Sequence, residues 1–528
     1  MLPLLASMPS CFFLVVALGE PEVSVLDGSS ITVVVKWLAV AVLSFDSALV
    51  GFILYRRASR NRFYRLRDAA QGRFSGTLQA YLAGAITLEH ATALLKTVGR
   101  PEREAAKKVL LGAIHTRTSS AATELLLELG FVQEWSEQAF GKRRTRQILR
   151  AIQEGCRLPA SHGGADGVTL RHIRRLRLFS ISRAVAVGHL GRLSPEYSGI
   201  FMREALRDPS PYVARMAVAG IGRNRIQNGI PVLLEELRRA VRGETELPIR
   251  SIKTALVRYP VSDLDHFVAF MEEPNSRFRF LAVDTIREIC HKALATSHVA
   301  SDFPLVLRRW FLEAAVRDDS ADVRARSAVV VGYFRDPSAT EALRVLLRDD
   351  NEFVRLHAVR ACGDPYYADL IGDILQRITD EKWRVREAAV RMLAGFDRFG
   401  WRQLQTVLVN TSDRYASEQI IDELQRSGVV QEVVSELFSS DSGNQAVDVC
   451  SKMVHVGMVS SLTDQLNGNH PLRVRTRLFE VLSKSEAPQF VWALQRIVDS
   501  ENDPLKSRAE LLLRQRQGNA ASAAAERA

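Results

Sequence analysis

The residue types that could perform catalysis or hold a metal are scattered along this chain. His162 lies in the polar sequence SHGGADG, which offers no nucleophile and no second metal ligand. The sequence also lacks a glycine-rich phosphate loop, a GxSxG elbow and an HExxH pair. The five cysteines lie far apart without a CxxC pair, which argues against a disulfide framework or a zinc site: Cys11, Cys156, Cys290, Cys362 and Cys450. We therefore expect no enzymatic activity, no metal and no cofactor.

Acids and arginines recur at a fixed spacing, which indicates a structural role for these charges instead of catalysis. Asp318, Asp349 and Asp380 are 31 residues apart, and a Val-Arg pair follows each of them five and six positions later. We expect the arginine of one unit to meet the aspartate of the next, which would fix the register of neighbouring units. The residues assigned to this turn and ladder are Asp208, Asp318, Arg324, Asp349, Arg355, Asp380, Arg386 and Arg475.

The elements that position these charges are pairs of helices. Less regular copies of the same repeat begin at Asp208, Glu244, Glu273 and Asn469. In each copy the acid opens a polar turn and can cap the helix that follows, whose apolar residues recur at helical spacing. Asp-Pro dipeptides such as Asp336-Pro337 then start a second helix. Two short helices cannot bury their apolar faces alone, so the sequence predicts an all-α fold, an α-solenoid of stacked helix-turn-helix units.

The repeated pattern resembles the HEAT repeat, in particular the short HEAT-like form first associated with phycobilisome lyase subunits. The resemblance extends over residues 171–516. It implies a solenoid whose concave surface binds proteins, and only a minority of the family is tied to chromophore attachment. Because the first arginine of each unit can be used internally, the candidates for partner binding are Arg326, Arg360 and Arg391.

An apolar segment precedes the repeats. Residues 31–55 are long enough as a helix to cross a bilayer of about 30 Å. Asp46 lies near the middle of this segment, and an acid at that depth is either protonated or paired with a polar group of another membrane helix. Basic residues follow directly and place the C-terminal part in the cytoplasm by the positive-inside rule: Arg56, Arg57, Arg60, Arg62, Arg65 and Arg67.

The remaining segments complete the predicted organisation. Residues 1–30 are a candidate signal peptide, a short membrane helix or an over-extended start, and 56–75 form a basic juxtamembrane segment. Residues 76–154 are predicted as a helical cap or connector, and 155–169 as a Gly-rich loop. The solenoid occupies 170–516, and residues 517–528 are predicted as a disordered tail.

Composition limits the function. The chain has 528 residues, a net charge of +11 and 47% apolar residues, which is typical of a folded chain with several domains or an open-ended array. The sequence predicts a bacterial-type scaffold in the cytoplasmic membrane, with a single membrane pass and a cytoplasmic solenoid that binds proteins. Anionic lipid is a further candidate partner for the basic residues, whereas nucleic acid is not expected because no binding motif accompanies them. Two alternatives are a helper subunit of a membrane enzyme or transporter and a chromophore lyase-like enzyme subunit.

Overall fold

The computed structural model of the chain describes residues 28–96, 99–114, 119–153, 180–294, 299–439 and 443–527. These residues form helices joined by turns, and this part of the chain contains no β-strand. The predicted all-α class is therefore confirmed. Packing divides the chain into two units, Met1–Leu149 with Arg192–Ser194 and Arg150–Gly191 with Pro195–Ala528.

The first unit is built around one long helix. Its helices are α1 (Gly28–Leu82), α2 (Leu88–Leu95), α3 (Arg100–Ala113), α4 (Ser119–Glu128), α5 (Phe131–Phe140) and the larger part of α6 (Lys142–Gln153). The predicted membrane segment 31–55 and the juxtamembrane segment 56–75 are thus parts of the same helix, α1. Its C-terminal part packs against α3 and buries Ala70, Phe74 and Leu78.

The N-terminal half of α1 remains apolar and exposed. Its large side chains from Trp37 to Tyr55 have no packing partner within this unit. Among the described residues, Lys36–Leu82 is the one stretch of helix that is long and apolar enough to cross a membrane. Residues 1–27, and with them most of the predicted N-terminal segment 1–30, lie outside the described residues, as does the predicted loop 155–169.

The second unit begins with helices that alternate between a first and a second helix of each repeat. They are α7 (Ser180–Leu190), α8 (Pro195–Ala205), α9 (Pro211–Asn224), α10 (Gly229–Val241), α11 (Ile249–Leu256), a 3₁₀ helix (Val261–Phe267), α12 (Val268–Met271), α13 (Ser276–Ala293), α14 (Val299–Asp302), α15 (Leu305–Glu313) and a 3₁₀ turn (Ala315–Arg317). The helix that follows each repeat acid is the first helix of its repeat.

The alternation continues through the C-terminal half. The elements are α16 (Ala321–Val331), α17 (Pro337–Leu347), α18 (Glu352–Ala361), a 3₁₀ helix (Pro365–Leu370), α19 (Ile371–Gln376), a 3₁₀ turn (Arg377–Thr379), α20 (Trp383–Ala394), α21 (Asp397–Asn410), α22 (Arg414–Arg426), α23 (Val429–Ser435), a 3₁₀ turn (Glu436–Phe438), α24 (Gly443–Val456), α25 (Ser460–Leu466), α26 (Leu472–Leu482), α27 (Pro488–Asp499) and α28 (Lys506–Arg527). Helix α28 continues to Arg527, past Gln517, where the disordered tail is predicted to begin.

From α13 to α26, each first helix packs on the first helix of the next repeat. Helix α16 contacts both α13 and α18, α18 contacts α20, and the series continues through α22, α24 and α26. Second helices also meet, for example α15 with α17 and α25 with α27. The apolar stripe read from the sequence faces these neighbours, since Val354, Ala358 and Val385 are fully buried. The predicted α-solenoid of sequence-adjacent units is therefore confirmed.

Glycines near the ends of first helices let the next repeat approach closely. A Cβ added at Gly222 would lie 2.5 Å from the Cα of Ala255 on α11, and one at Gly332 would lie 2.9 Å from the Cβ of Ala361 on α18. Both distances are too short for real side chains, so the spacing of these helices requires glycine. This close packing sets the register in which the charged residues of neighbouring repeats meet.

Candidate protein-binding surface

The repeat acids lie in the turns that lead into the first helices. Asp318, Asp349 and Asp380 each accept a hydrogen bond, at 2.9 to 3.0 Å, from the backbone N–H two residues further on. That N–H belongs to the residue that caps the following helix, such as Asn351, whose own side chain accepts from the N–H of Phe353. The acid therefore fixes the turn before the cap rather than capping the helix itself, which differs from the expectation for these acids.

The arginine of each repeat reaches the acid of the next. Arg324 donates from Nε and Nη2 to the two carboxylate oxygens of Asp349, at 2.7 and 2.9 Å. Arg355 does the same to Asp380, with both distances 2.8 Å. The remaining nitrogen, Nη1, donates to backbone oxygens of the arginine's own repeat, such as that of Asp349 for Arg355. Each guanidinium thus joins two repeats through a fixed, two-point contact.

These pairs are largely withdrawn from water. The Asp380 side chain is 2% exposed and that of Arg355 is 10% exposed. Burial by itself raises the pKa of Asp380, but the hydrogen bonds from Arg355 and the Lys382 backbone N–H outweigh it, so that the pKa lies below its ordinary value. The pKa of Asp318 is lowered in the same way by Arg279. Both acids are therefore ionised at neutral pH and stabilise the stack only when their arginines are present.

Three further residues take part in the ladder although the repeat spacing did not assign them: Arg183, Arg279 and Asp503. Asp208 pairs with Arg183 at 2.7 and 2.8 Å, Asp318 pairs with Arg279 at 2.7 and 2.9 Å, and Arg475 pairs with Asp503 at 2.6 Å. Arg279 is six residues after Glu273, the position that Arg324 and Arg355 occupy after their own acids. Its partner is 39 residues away instead of 25, because the Glu273 repeat is longer before its successor starts. Applying the same six-residue spacing to Glu273 would have predicted Arg279 from the sequence.

Arg386 departs from the pattern. Its Nη1 donates to the backbone oxygens of Asp380 and Glu381, at 2.7 and 3.3 Å, as in the preceding repeats. In the described part of the chain, however, no carboxylate pairs with it, because the residue 31 positions after Asp380 is Thr411. The predicted ladder residue Arg386 is thus seated like its equivalents but lacks the acid.

A second group of basic side chains lies outside the ladder. Arg287 on α13, Arg326 on α16, and His357 and Arg360 on α18 form what we term the basic strip. Burial, together with the charges of Arg326, Arg360 and Arg287, lowers the pKa of His357 to about 4. Arg287 and Arg326 both contact Asp284, so side chains from α13 and α16 meet here, and α18 packs directly on α16.

The acids around the basic strip neutralise only part of its charge. Asp284 lies 3.5 Å from Arg326 and accepts from Arg287 at 3.1 Å, while it also pairs with Lys253. Arg360 is exposed and has no carboxylate partner among the residues that the structure describes. The predicted partner-binding residues Arg326 and Arg360 are therefore brought together, whereas Arg391 pairs with Glu387 of its own helix at 2.7 Å.

The sequence of residues 308–394 matches the family described as HEAT repeats. This match contains the Arg324–Asp349 and Arg355–Asp380 pairs and ends before Thr411. Residues 308–394 therefore consist of HEAT repeats. No curated protein sequence matches the chain. The finer resemblance, to the repeats of phycobilisome lyase subunits, stays a prediction.

Three solved structures are similar to this chain at low sequence identity. Kap95p, in the structure in which its binding induces the switch loops of RanGDP to adopt the GTP-bound conformation, is 12% identical with a TM-score of 0.37, over 87% of this chain and 66% of that one. Importin beta in an ammonium sulfate condition is 14% identical with a TM-score of 0.28, over 87% and 68%. Pds5 in its complex with Scc1 is 13% identical with a TM-score of 0.30, over 86% and 77%. This HEAT-repeat chain spans slightly less than two thirds of Kap95p.

The residues predicted to act at the membrane lie on α1. Asp46 is exposed within the apolar half of that helix. Of the basic residues that follow it, Arg67 contacts Asp68 at 2.7 Å and lies over the ring of Tyr64, 4.7 Å from its centroid. The others are exposed on the same helix: Arg56, Arg57, Arg60, Arg62 and Arg65. The helix therefore presents an apolar half followed directly by a cationic segment.

The enzyme-like residues do not assemble into a site within the described ranges. Cys290, Cys362 and Cys450 are buried thiols, and burial raises the pKa of each to about 12, which keeps them protonated and unreactive. The described residues contain no group of three or more metal-ligating side chains. His162, Cys11 and Cys156 lie outside the described residues.

Proposed function

We propose that this protein is a membrane-anchored scaffold whose HEAT-repeat solenoid binds partner proteins without catalysing a reaction. One observation carries the proposal: Arg324 and Arg355 of the ladder are paired with aspartates, whereas the basic strip presents Arg326 and Arg360 on neighbouring helices with part of their charge unbalanced. A stack of repeats offers such side chains on an extended surface that is suited to a protein partner.

The basic strip favours an acidic partner surface. Arginine presents five donors in a rigid plane and suits carboxylates that are partly desolvated at an interface. A set of like charges also raises the rate of encounter with an oppositely charged protein, in a manner that salt weakens. We therefore expect the partner to carry clustered Asp and Glu side chains and to dissociate as ionic strength rises.

The anchor would be the apolar half of α1. Its exposed side chains need a nonpolar environment, and the arginines from Arg56 to Arg67 support a cytoplasmic position of everything that follows. The same arginines would contact anionic lipid headgroups. This arrangement would hold the solenoid at the inner face of the cytoplasmic membrane through a single pass.

Partner capture with the full-length chain tests the scaffold. The chain would be solubilised from membranes in detergent as wild type and as the double variant R326E/R360E, and copurifying proteins would be identified by mass spectrometry. The double variant R309E/R477E is the control, because these exposed arginines, like those of many surface helices, pair only with an acid of their own helix and belong to neither proposed surface. Loss of the same proteins from both variants, or from neither, would reject the basic strip as the binding surface.

Topology requires a separate experiment. An alkaline phosphatase fused after Arg67 should be inactive and a fluorescent protein at the same position should be bright, since only the former needs export. The opposite result would overturn the cytoplasmic position of the solenoid.

A helper subunit of a membrane enzyme or transporter is the second candidate, and exposed Asp46 supports it. An ionised acid on a membrane helix costs free energy unless a polar group of another membrane helix pairs with it. Asp46→Leu should release a membrane partner that the Ser44→Leu variant retains, because residue 44 lies on the opposite side of the helix, about half a turn away. Equal copurification with both variants would reject this candidate.

A further inference from the structure

The junction between α20 and α22 holds a vacant acid position in the ladder. In the two preceding repeats, the Nε and Nη2 atoms of the arginine face both oxygens of an aspartate. Arg386 occupies the equivalent position, and its Nη1 makes the equivalent backbone contacts. Its Nε is buried and, within the described ranges, has no hydrogen-bond partner. A guanidinium edge that is built to hold a carboxylate is therefore left without one.

The backbone at the vacant position is already that of an acid position. Thr411 has φ −79° and ψ 139°, and Asp380 has φ −60° and ψ 146°. The Thr411 hydroxyl accepts from the Asp413 N–H at 3.2 Å, the contact that the aspartates make with the residue two further on. Threonine thus keeps the turn but is too short to reach Arg386.

A second orphaned polar atom lies at the same junction. Gln419 on α22 donates from Nε2 to the backbone oxygen of Trp383 at 3.2 Å, yet its Oε1 is buried and has no partner in the described part of the chain. Buried polar groups without partners are rare and destabilising, so two of them at one junction suggest a group supplied from outside. The acids nearby do not supply it, because Glu387 contacts Arg391 and Glu418 contacts Arg414.

Two exposed aromatic rings border this position. Tyr415 is 66% exposed and lies over the Arg386 guanidinium, 5.6 Å from the Cζ atom to the ring centroid. Trp383 is 55% exposed and is partly covered by Arg384 at 5.5 Å. Because Tyr415 is mostly in solvent, its rotation would uncover Arg386 without disturbing the core. The two rings provide exposed apolar surface at the junction that holds Arg386.

We propose that this junction binds a protein segment in which an aspartate or glutamate stands beside apolar side chains. The incoming carboxylate takes the place that Asp380 has in the preceding repeat and accepts from Nε and Nη2 of Arg386. Its neighbours cover Trp383 and Tyr415. This inference rests on the proposed function and names the chemistry of one partner contact.

The test uses the full-length chain in detergent micelles and two fluorescein-labelled peptides, one with a single aspartate between two leucines and one with asparagine in its place. Fluorescence polarisation should show that the aspartate peptide binds roughly tenfold more tightly or better, as a charge-assisted contact requires. Arg386→Gln should abolish that preference. Thr411→Asp should weaken binding of the aspartate peptide by a similar factor, because the new carboxylate of the chain itself then pairs with Arg386. Thr411→Ser should leave binding unchanged.

The outcomes separate this inference from the scaffold itself. Equal binding of the two peptides, no binding of either, or undiminished binding to the Thr411→Asp variant would overturn it. Hydrogen exchange of α20 and α22 shows whether each variant is folded. If the Thr411→Asp variant still captures the partners that the R326E/R360E variant loses, the scaffold proposal is retained and the α20–α22 site is rejected.

Discussion

Arg355 and Asp380 form a two-point ion pair between consecutive repeats, at 2.8 Å for both contacts. The arginine also donates to the backbone oxygens of Asp349 and Asp350, at 2.9 Å each, so one side chain holds the turn of its own repeat and the acid of the next. Arg386 makes the same backbone contacts without the acid. The chain therefore contains its own comparison between a paired and an unpaired ladder arginine.

Arg355→Ala should destabilise the stack far more than Arg386→Ala. Removing Arg355 leaves the buried Asp380 carboxylate with only the weaker contact to Arg377 at 3.4 Å, which costs about 3 kcal/mol, whereas removing Arg386 leaves no buried carboxylate behind and should cost about 1 kcal/mol. Hydrogen exchange of α18 and α20 in the full-length chain measures the local free energy of opening. Similar losses in the two variants would show that the backbone contacts, and not the ion pair, join the repeats.

Thr411→Asp should stabilise the junction between α20 and α22. The backbone at 411 already has the conformation of Asp380, so the new carboxylate can pair with Arg386 and should contribute about 1–2 kcal/mol. Hydrogen exchange should show slower exchange of the α22 backbone amides than in wild type. The gain should vanish in an Arg386→Ala background, and a gain that persists there would mean that it arises elsewhere.

The stability of the second unit should fall as the pH drops from 6.5 towards about 4. The pKa of His357 is lowered to about 4 in the fold but is 6.5 when unfolded, so in this range the unfolded chain binds the additional proton. The loss is at most about 1.4 kcal/mol per pH unit, and solvent screening reduces it because the imidazole is partly exposed. The free energy of unfolding, measured with urea across this range, should depend more steeply on pH for wild type than for the His357→Gln variant. Asp318 and Asp380 remain ionised there because their pKa values are lowered.

Gly222→Ala should loosen the packing of α9 on α11. The added Cβ would lie 2.5 Å from the Cα of Ala255, so backbone must move, at a cost of about 1–3 kcal/mol. Gly372→Ala is the matched control, since nothing lies within 4 Å of its Cβ and helix propensity should make it stabilising by about 0.5 kcal/mol. Urea midpoints that shift together for both variants would contradict the close approach.

The repeat phase was sufficient to predict the regular part of the ladder. Where the units are equally long, as from Asp318 to Asp380, the arginine of one helix necessarily comes beside the acid of the next turn, and Arg324 and Arg355 could be assigned from spacing. The gap at Thr411 was also visible in the sequence, because a threonine stands where an acid is due. Only the structure showed that Arg386 is nevertheless seated as though the acid were present.

Sequence periodicity determines which residues form each helix and which stripe is apolar, because both depend on residues three to seven positions apart. It does not determine how far one helix is displaced along its neighbour, since that depends on loop length and side-chain packing between repeats. Asp318 therefore meets Arg279 across 39 residues, and Arg326 meets Asp284 of α13, through packing alone. Local patterns gave the helices and their order, and the tertiary contacts decided which charges are paired and which remain for a partner.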